Sequence, residues 1–202
     1  RARRARPRAP TRPRDAPLGG AEADAAILGA LTTPGTTRPL AILDLGARST
    51  DASIINPICE IIATHLAGAG EMVTMIIARE LGLEDRYLAE EIKKYPLAKV
   101  ESLFHLRHED GSVQFFPTPL PPAVFARVCV VKPDELVPLP GDLALEKVRA
   151  IRRSAKERVF VTNALRALRQ GSPPGGRRAL PGVVRVGGAA REVGVGGVDA
   201  AG

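Results

Sequence analysis

Residues 40–53, LAILDLGARSTDAS, constrain this chain more than any other stretch. An apolar run from Leu40 to Leu43 ends at Asp44, and a turn of small and polar residues, Gly46, Ala47, Arg48, Ser49 and Thr50, follows. Asp51 then opens a second apolar run, Ala52 to Ile55. This order predicts a β-hairpin with an acid at each edge of its turn. Backbone N–H groups in a tight glycine-containing turn form a concave anion nest, and the Ser49 and Thr50 hydroxyls add donors. A carboxylate beside phosphates repels them unless a divalent ion lies between, so Asp44 calls for Mg²⁺ if the turn receives a nucleotide. The same pattern also describes an ordinary hairpin with a polar turn, and nothing inside the stretch chooses between the two.

The surrounding chain has 202 residues, 45% apolar but only 3% aromatic and without Trp, enough to bury a core of Ala, Leu, Ile and Val. Its formal charge of +7 is concentrated: the first fourteen residues hold seven Arg and no acid, which leaves the remainder formally neutral. The basicity belongs to a tail, and the scarcity of aromatics to stack on bases argues against a nucleic-acid partner. Cys59 and Cys129 lie far apart with no CxxC or Cys/His spacing, which points away from a disulfide framework or zinc site and towards a reduced, cytoplasmic setting. No apolar run reaches the length of a membrane span, so no membrane association is expected.

Residues 1–20 are expected to form a disordered Arg/Pro-rich tail and residues 191–202 a second disordered tail, with one folded unit over 21–190. Within that unit a short helix is predicted over 21–31, a turn at Asn56-Pro57 and a third strand from Ile58 to Thr64. Two glycines, Gly68 and Gly70, then admit close approach by a ligand or by another element at the start of a helix that Gly82 closes. His65 reads as a hydrogen-bonded structural residue rather than a base, since no carboxylate or nucleophile is spaced along the sequence to use it. Helix is predicted over 84–101 with a break at Pro96, and Glu90, Glu91, Lys93 and Lys94 read as a solvated face. A hairpin around Asp110-Gly111 follows, with His105 and His108 on opposite faces, and then strands over 124–131 and 136–139. Asp142 offers a cap for a long helix over 143–170. Its cations, Lys147, Arg149, Arg152, Arg153, Lys156 and Arg158, form a solvated face or send one or two members into a nucleotide cleft. Residues 182–186 read as a short strand leading into Gly187-Gly188, where a backbone can lie against a base or ribose.

The order of these features resembles the second half of the ATPase fold shared by actin, sugar kinases and Hsp70 chaperones. That is half of a ribonuclease H-like α/β fold, a mixed sheet flanked by helices, here with an inserted α+β segment at about 84–140. More narrowly, ALTTPGTTRPLAILDLGARSTDASIIN, LGLEDRYLAEEIKKYPLAKVESLF, AVFARV and AKERVFVTNALRALRQ resemble the large subunit of the diol and glycerol dehydratase reactivating factor. This resemblance implies a chaperone-like ATP-binding protein that releases damaged cobalamin from a coenzyme B12-dependent dehydratase. Its implied cofactors are ATP or ADP with Mg²⁺, and its implied partners are a small reactivase subunit and the dehydratase.

Carried over residue by residue, Asp44 takes the place of the acid that holds Mg²⁺ through water, and Asp51 is a second, weaker metal candidate. Gly46, Ala47, Arg48, Ser49 and Thr50 take the phosphate-loop positions, and Gly187 and Gly188 the adenosine segment. A water molecule, not a side chain, is the implied nucleophile. Arg48 stands where the family pattern has glycine; there it either costs about 1–2 kcal/mol in a left-handed backbone or puts a cation on the phosphate. The superfamily's first phosphate loop has no counterpart in the chain, which implies a fragment carrying one side of the cleft. The competing expectation is a non-catalytic module that binds the dehydratase or the small subunit through residues 84–139.

Overall fold

The computed structural model describes residues 40–55, 61–171 and 182–186. The two expected tails, the helix at 21–31, the Asn56-Pro57 turn, Cys59 and the Gly187-Gly188 pair lie outside the described residues.

Strand β1 (Leu40–Leu45) turns back through residues 46–48 into β2 (Ser49–Ile55), and β3 (Ile61–Ala67) pairs antiparallel on β2. Strand β9 (Gly182–Val186) joins the other side of β1 in parallel, so the sheet is mixed, in the order β3-β2-β1-β9. The α/β class expected from the sequence is the class observed. Side chains alternate across the sheet. Ala41, Leu43, Ala52 and Ile54 pack on Ala164, Ala167 and Leu168 of a helix, and the opposite face carries Asp44, Asp51 and His65.

Helix α1 (Gly70–Leu81) ends where Gly82 adopts φ 65°, and α2 (Arg86–Lys94) starts where Asp85 accepts a 2.8 Å hydrogen bond from the Tyr87 amide. The helix expected up to residue 101 stops at Lys94. Pro96 biases Tyr95 to extended backbone (φ −105°, ψ 155°), and the residues beyond pair as strand β4 (Leu97–Ser102). With β5 (His105–His108), β6 (Val113–Phe115), β7 (Val128–Val131) and β8 (Leu136–Pro138) it builds an antiparallel sheet in the order β6-β5-β4-β7-β8. Strand β7 begins later than residue 124, because Pro122–Val124 form a 3₁₀ turn.

The long cationic helix is α3 (Leu145–Lys156), a π turn (Glu157–Val161) and α4 (Thr162–Gly171) in continuous succession. Asp142 does not cap it: the N-cap is Ala144, and the Asp142 carboxylate lies 3.9 Å from Lys99 Nζ. The π turn re-aims the apolar stripe. Before and within it, Leu145, Val148, Ala155, Val159 and Phe160 join the core of α1, α2 and the second sheet; after it, Ala164, Ala167 and Leu168 face the first sheet.

Candidate functional site

The β1–β2 turn is closed by a 3.0 Å bond from the Gly46 amide to the Ser49 carbonyl. Of the two expectations for Arg48, the left-handed backbone is not met. Among the described non-glycine residues only Ala126 has positive φ, so Arg48 carries no left-handed penalty. Its Nε pairs with Glu71 Oε1 at 3.0 Å, on the first turn of α1. With side-chain exposures of 84% and 51%, that pair is worth at most about 1 kcal/mol.

The start of α1 is docked on this turn. The Gly68, Gly70 and Glu71 amides donate to the carbonyls of Arg48 (2.8 Å), Gly46 (3.2 Å) and Ala47 (2.7 Å). The unpaired N–H groups of a helix N-terminus therefore meet protein carbonyls, and the close approach that the glycines allow is that of another element. The two hydroxyls expected to face a phosphate both have protein acceptors. Thr50, fully buried, donates to the Gly68 carbonyl at 3.1 Å, and Ser49 donates to Asp51 Oδ2 at 2.9 Å. Among the described residues, the amides of Ala47 and Arg48 at the tip donate to no protein acceptor.

Beside the tip runs a row of polar side chains. Asp44 stands directly opposite Asp51, and Asp51 directly opposite His65, so all three share one face across three strands. Facing carboxylates repel, and Asp51 has compensation: its Oδ1 binds His65 Nδ1 and its Oδ2 accepts from Ser49. His65 thus does have a carboxylate partner, supplied by strand register rather than by sequence spacing. Each Asp51 oxygen thus has one hydrogen-bond partner, which orients the carboxylate and leaves it lone pairs for a further contact. Among the described residues no three acidic, His or Cys side chains converge as a metal site. Mg²⁺ keeps several waters and needs only one or two carboxylates, so half-buried Asp44 fits that manner of binding by itself. On the other side of Asp44, in parallel register, lies Val186, the residue that precedes Gly187-Gly188.

Two residues missed from the sequence support the site. Asn163, 6% exposed, donates from Nδ2 to the carbonyls of Gly68 (2.6 Å) and Ala67 (3.1 Å). An amide inside a helix that otherwise repeats apolar residues was the available signal. Lys93, on the face read as solvated, is 5% exposed. The long helix does not send its arginines to the turn either. Arg152 reaches the Ile92 and Tyr95 carbonyls (3.3 and 2.9 Å) and Glu109, Arg149 the Glu109 carbonyl, Arg153 Glu157, and Arg158 Glu80. His105 and His108 have separate partners, Ser102 with Glu101 and Gln114. Cys129 is a free buried thiol, which burial pushes up to about 11.

Residues 11–198 match the family described as the diol dehydratase reactivase ATPase-like domain. Over 174 residues the chain is 91% identical to the propanediol dehydratase-reactivating factor large subunit of Salmonella typhimurium and 89% identical to the diol dehydratase-reactivating factor large subunit of Klebsiella michiganensis. Each alignment takes in 86% of this chain and 28% of the relative. The solved diol dehydratase-reactivating factor in nucleotide-free form is similar at TM-score 0.80 and 90% identity, and a glycerol dehydratase reactivase at TM-score 0.80 and 64% identity. Both cover 83% of this chain and 28% of the solved one, so the chain spans under a third of the length of the relatives it matches. With near-identity over most of its residues and the same fold, the chain belongs to the diol dehydratase reactivase ATPase-like domain family.

Proposed function

We propose that this chain supplies one side of the nucleotide site of a dehydratase-reactivating factor, a chaperone-like ATP-binding subunit that releases damaged cobalamin from coenzyme B12-dependent diol or glycerol dehydratase. The observation that carries the reading is the tip of the β1–β2 hairpin. It presents the Ala47 and Arg48 amides without acceptors among the described residues, on the strand pair that carries the Asp44 carboxylate, in a chain of this family. Those amides receive phosphate oxygens, Gly46 allows the tight turn, and the hydroxyls of Ser49 and Thr50 fix Asp51 and Gly68. Asp44 holds Mg²⁺ through water; the ion, when bound, neutralises charge on the phosphates. Asp44 also orients the attacking water if hydrolysis takes place at this site. Gly187 and Gly188 face the adenosine in this reading. Nucleotide drives the cycle only by binding two conformations unequally, and those conformations hold the dehydratase and the small subunit with different affinity. The setting is cytoplasmic, in keeping with the free thiol of Cys129.

Calorimetric titration of ADP with and without Mg²⁺ tests this, on the chain alone and mixed with the remainder of a relative's large subunit. Mg²⁺-dependent binding that Asp44→Asn weakens about tenfold is expected. A folded chain that binds nothing in either setting counts against a nucleotide role.

A second reading, a protein-interaction module, is favoured by one observation. Of the chain's seven aromatic residues, Tyr87, Phe104, Phe115 and Phe125 are exposed, all within the 84–140 segment. Dehydratase capture that ignores nucleotide and is lost on Phe104→Ala/Phe115→Ala would favour it.

A further inference from the structure

Among the described residues Lys93 is the only charged side chain that is buried, at 5% exposure. Its ammonium donates to the Gly70 carbonyl at 3.2 Å, Thr74 Oγ1 at 3.1 Å and Glu90 Oε2 at 2.6 Å, so its three protons have three acceptors. Burying an ammonium is costly even when it is paired, and an apolar side chain of similar length would pack the same space more cheaply. Core packing alone therefore does not call for lysine here.

The Gly70 carbonyl belongs to the same peptide unit as the Glu71 amide, whose N–H donates to the Ala47 carbonyl at 2.7 Å. The Ala47 carbonyl in turn shares its peptide unit with the Arg48 amide, one of the two tip donors without a protein acceptor among the described residues. A cation on one end of such a chain polarises each amide in it, and every N–H further along becomes a better donor. Lys93 Nζ and the Gly46 carbonyl both lie close to Gly70, each 3.4 Å from where a Cβ would stand, at the edge of ordinary contact.

We infer that Lys93 is a positioning residue for the β1–β2 turn, acting through the 70/71 and 47/48 peptide units to fix and polarise the Arg48 amide as an anion donor. Lys93 belongs to α2, the first helix of the inserted segment, so this relay ties that segment to the turn. Its functional meaning rests on the nucleotide reading above; its physical content does not.

Amide NMR of the 202-residue chain tests it. In the unmutated protein a through-hydrogen-bond coupling between the Glu71 nitrogen and the Ala47 carbonyl carbon is expected, and its absence overturns the relay. In Lys93→Met, the Glu71 and Arg48 amide protons are expected to shift upfield and Glu71 exchange to quicken roughly tenfold, while Ile77, further along α1, stays as it was. ADP–Mg²⁺ affinity is expected to fall by a similar factor of about ten. Lys93→Met/Glu90→Gln keeps the buried site neutral should the single variant fail to fold, and the same amide changes are expected of it. Unmoved Glu71 and Arg48 amides in a folded variant overturn the inference even if ADP binds. Selective amide changes in a chain that binds no ADP uphold the relay and overturn the nucleotide reading instead.

Discussion

Asp51 and His65 meet across strands β2 and β3, Oδ1 against Nδ1, in the cross-strand row that also holds Asp44. The imidazole supplies a partner to the middle carboxylate of a row that otherwise sets two acids face to face. His65→Ala should therefore remove one of the two contacts that offset the repulsion at Asp51, leaving the Ser49 hydroxyl, and cost about 0.5–1 kcal/mol at low salt. Urea denaturation measures it. The loss should shrink in 1 M salt, about the concentration at which screening reaches 3 Å, and should largely vanish in Asp44→Asn/His65→Ala.

Arg152 joins α3 to the end of α2 and the β5–β6 turn through two backbone carbonyls and Glu109, and both side chains of that ion pair are mostly buried, at 15% and 19% exposure. Arg152→Ala leaves the carboxylate and both carbonyls without that donor, so a loss of about 2–4 kcal/mol is expected from the denaturation midpoint. Arg152→Lys should recover little, because an ammonium cannot span acceptors placed for a planar fork.

Gly68 has φ +96°, and its carbonyl accepts from both Thr50 and Asn163. Gly68→Ala should cost about 1–2 kcal/mol through backbone strain. The added Cβ would come 3.0 Å from Met72 Cε, the free end of a flexible chain that can move aside. Thermal unfolding of Gly68→Ala with and without Met72→Ala checks this: the two should lose similar amounts.

Burial alone would raise the Glu90 carboxyl, but hydrogen bonds from Lys93, Lys94 and Thr74 outweigh it and hold it at about 2, below the ordinary 4.5. A group whose folded value is depressed stabilises the protein above its unfolded value, and that contribution fades as pH falls through the folded one. Stability should therefore decline between about pH 4.5 and pH 2, and Glu90→Gln should flatten part of that decline. Urea midpoints across that range measure it.

The hairpin, the glycine-closed helix and the 182–186 strand were legible because each rests on local pattern: alternation, turn residues or a cap; the third strand was legible in kind, but it runs to Ala67 rather than Thr64, because His65, Leu66 and Ala67 pair with Asp51, Thr50 and Ser49. Residues 97–101 were misread as helix, since Leu97, Ala98 and Val100 satisfy either period over so short a run, and the partners that decide, β5 and β7, come later in the chain. The site was legible in its residues but not in their directions. Where the Ser49 and Thr50 hydroxyls donate depends on Asp51 and on Gly68, eighteen residues beyond Thr50. His65 acquires its carboxylate through register, which no spacing rule encodes. Lys93 left no trace at all, because a Lys-Lys pair at the end of a charged helix reads as solvated until the packing of α1 against α2 is known.

The π turn between α3 and α4 has a consequence for how length is read in this fold. Upstream of it the helix belongs to one core, and downstream Asn163 holds the Gly68 carbonyl beside the hairpin turn. Each residue of a helix turns it by about 100°, so deleting one residue within Glu157–Val161 would swing Asn163 and the whole Ala164 face away from their seats while Leu145, Val148 and Ala155, upstream, stayed in the first core. The segment works as an indexing notch, setting the angle at which one half of the molecule engages the other, and a change of length there would act on the turn without altering any residue that touches it.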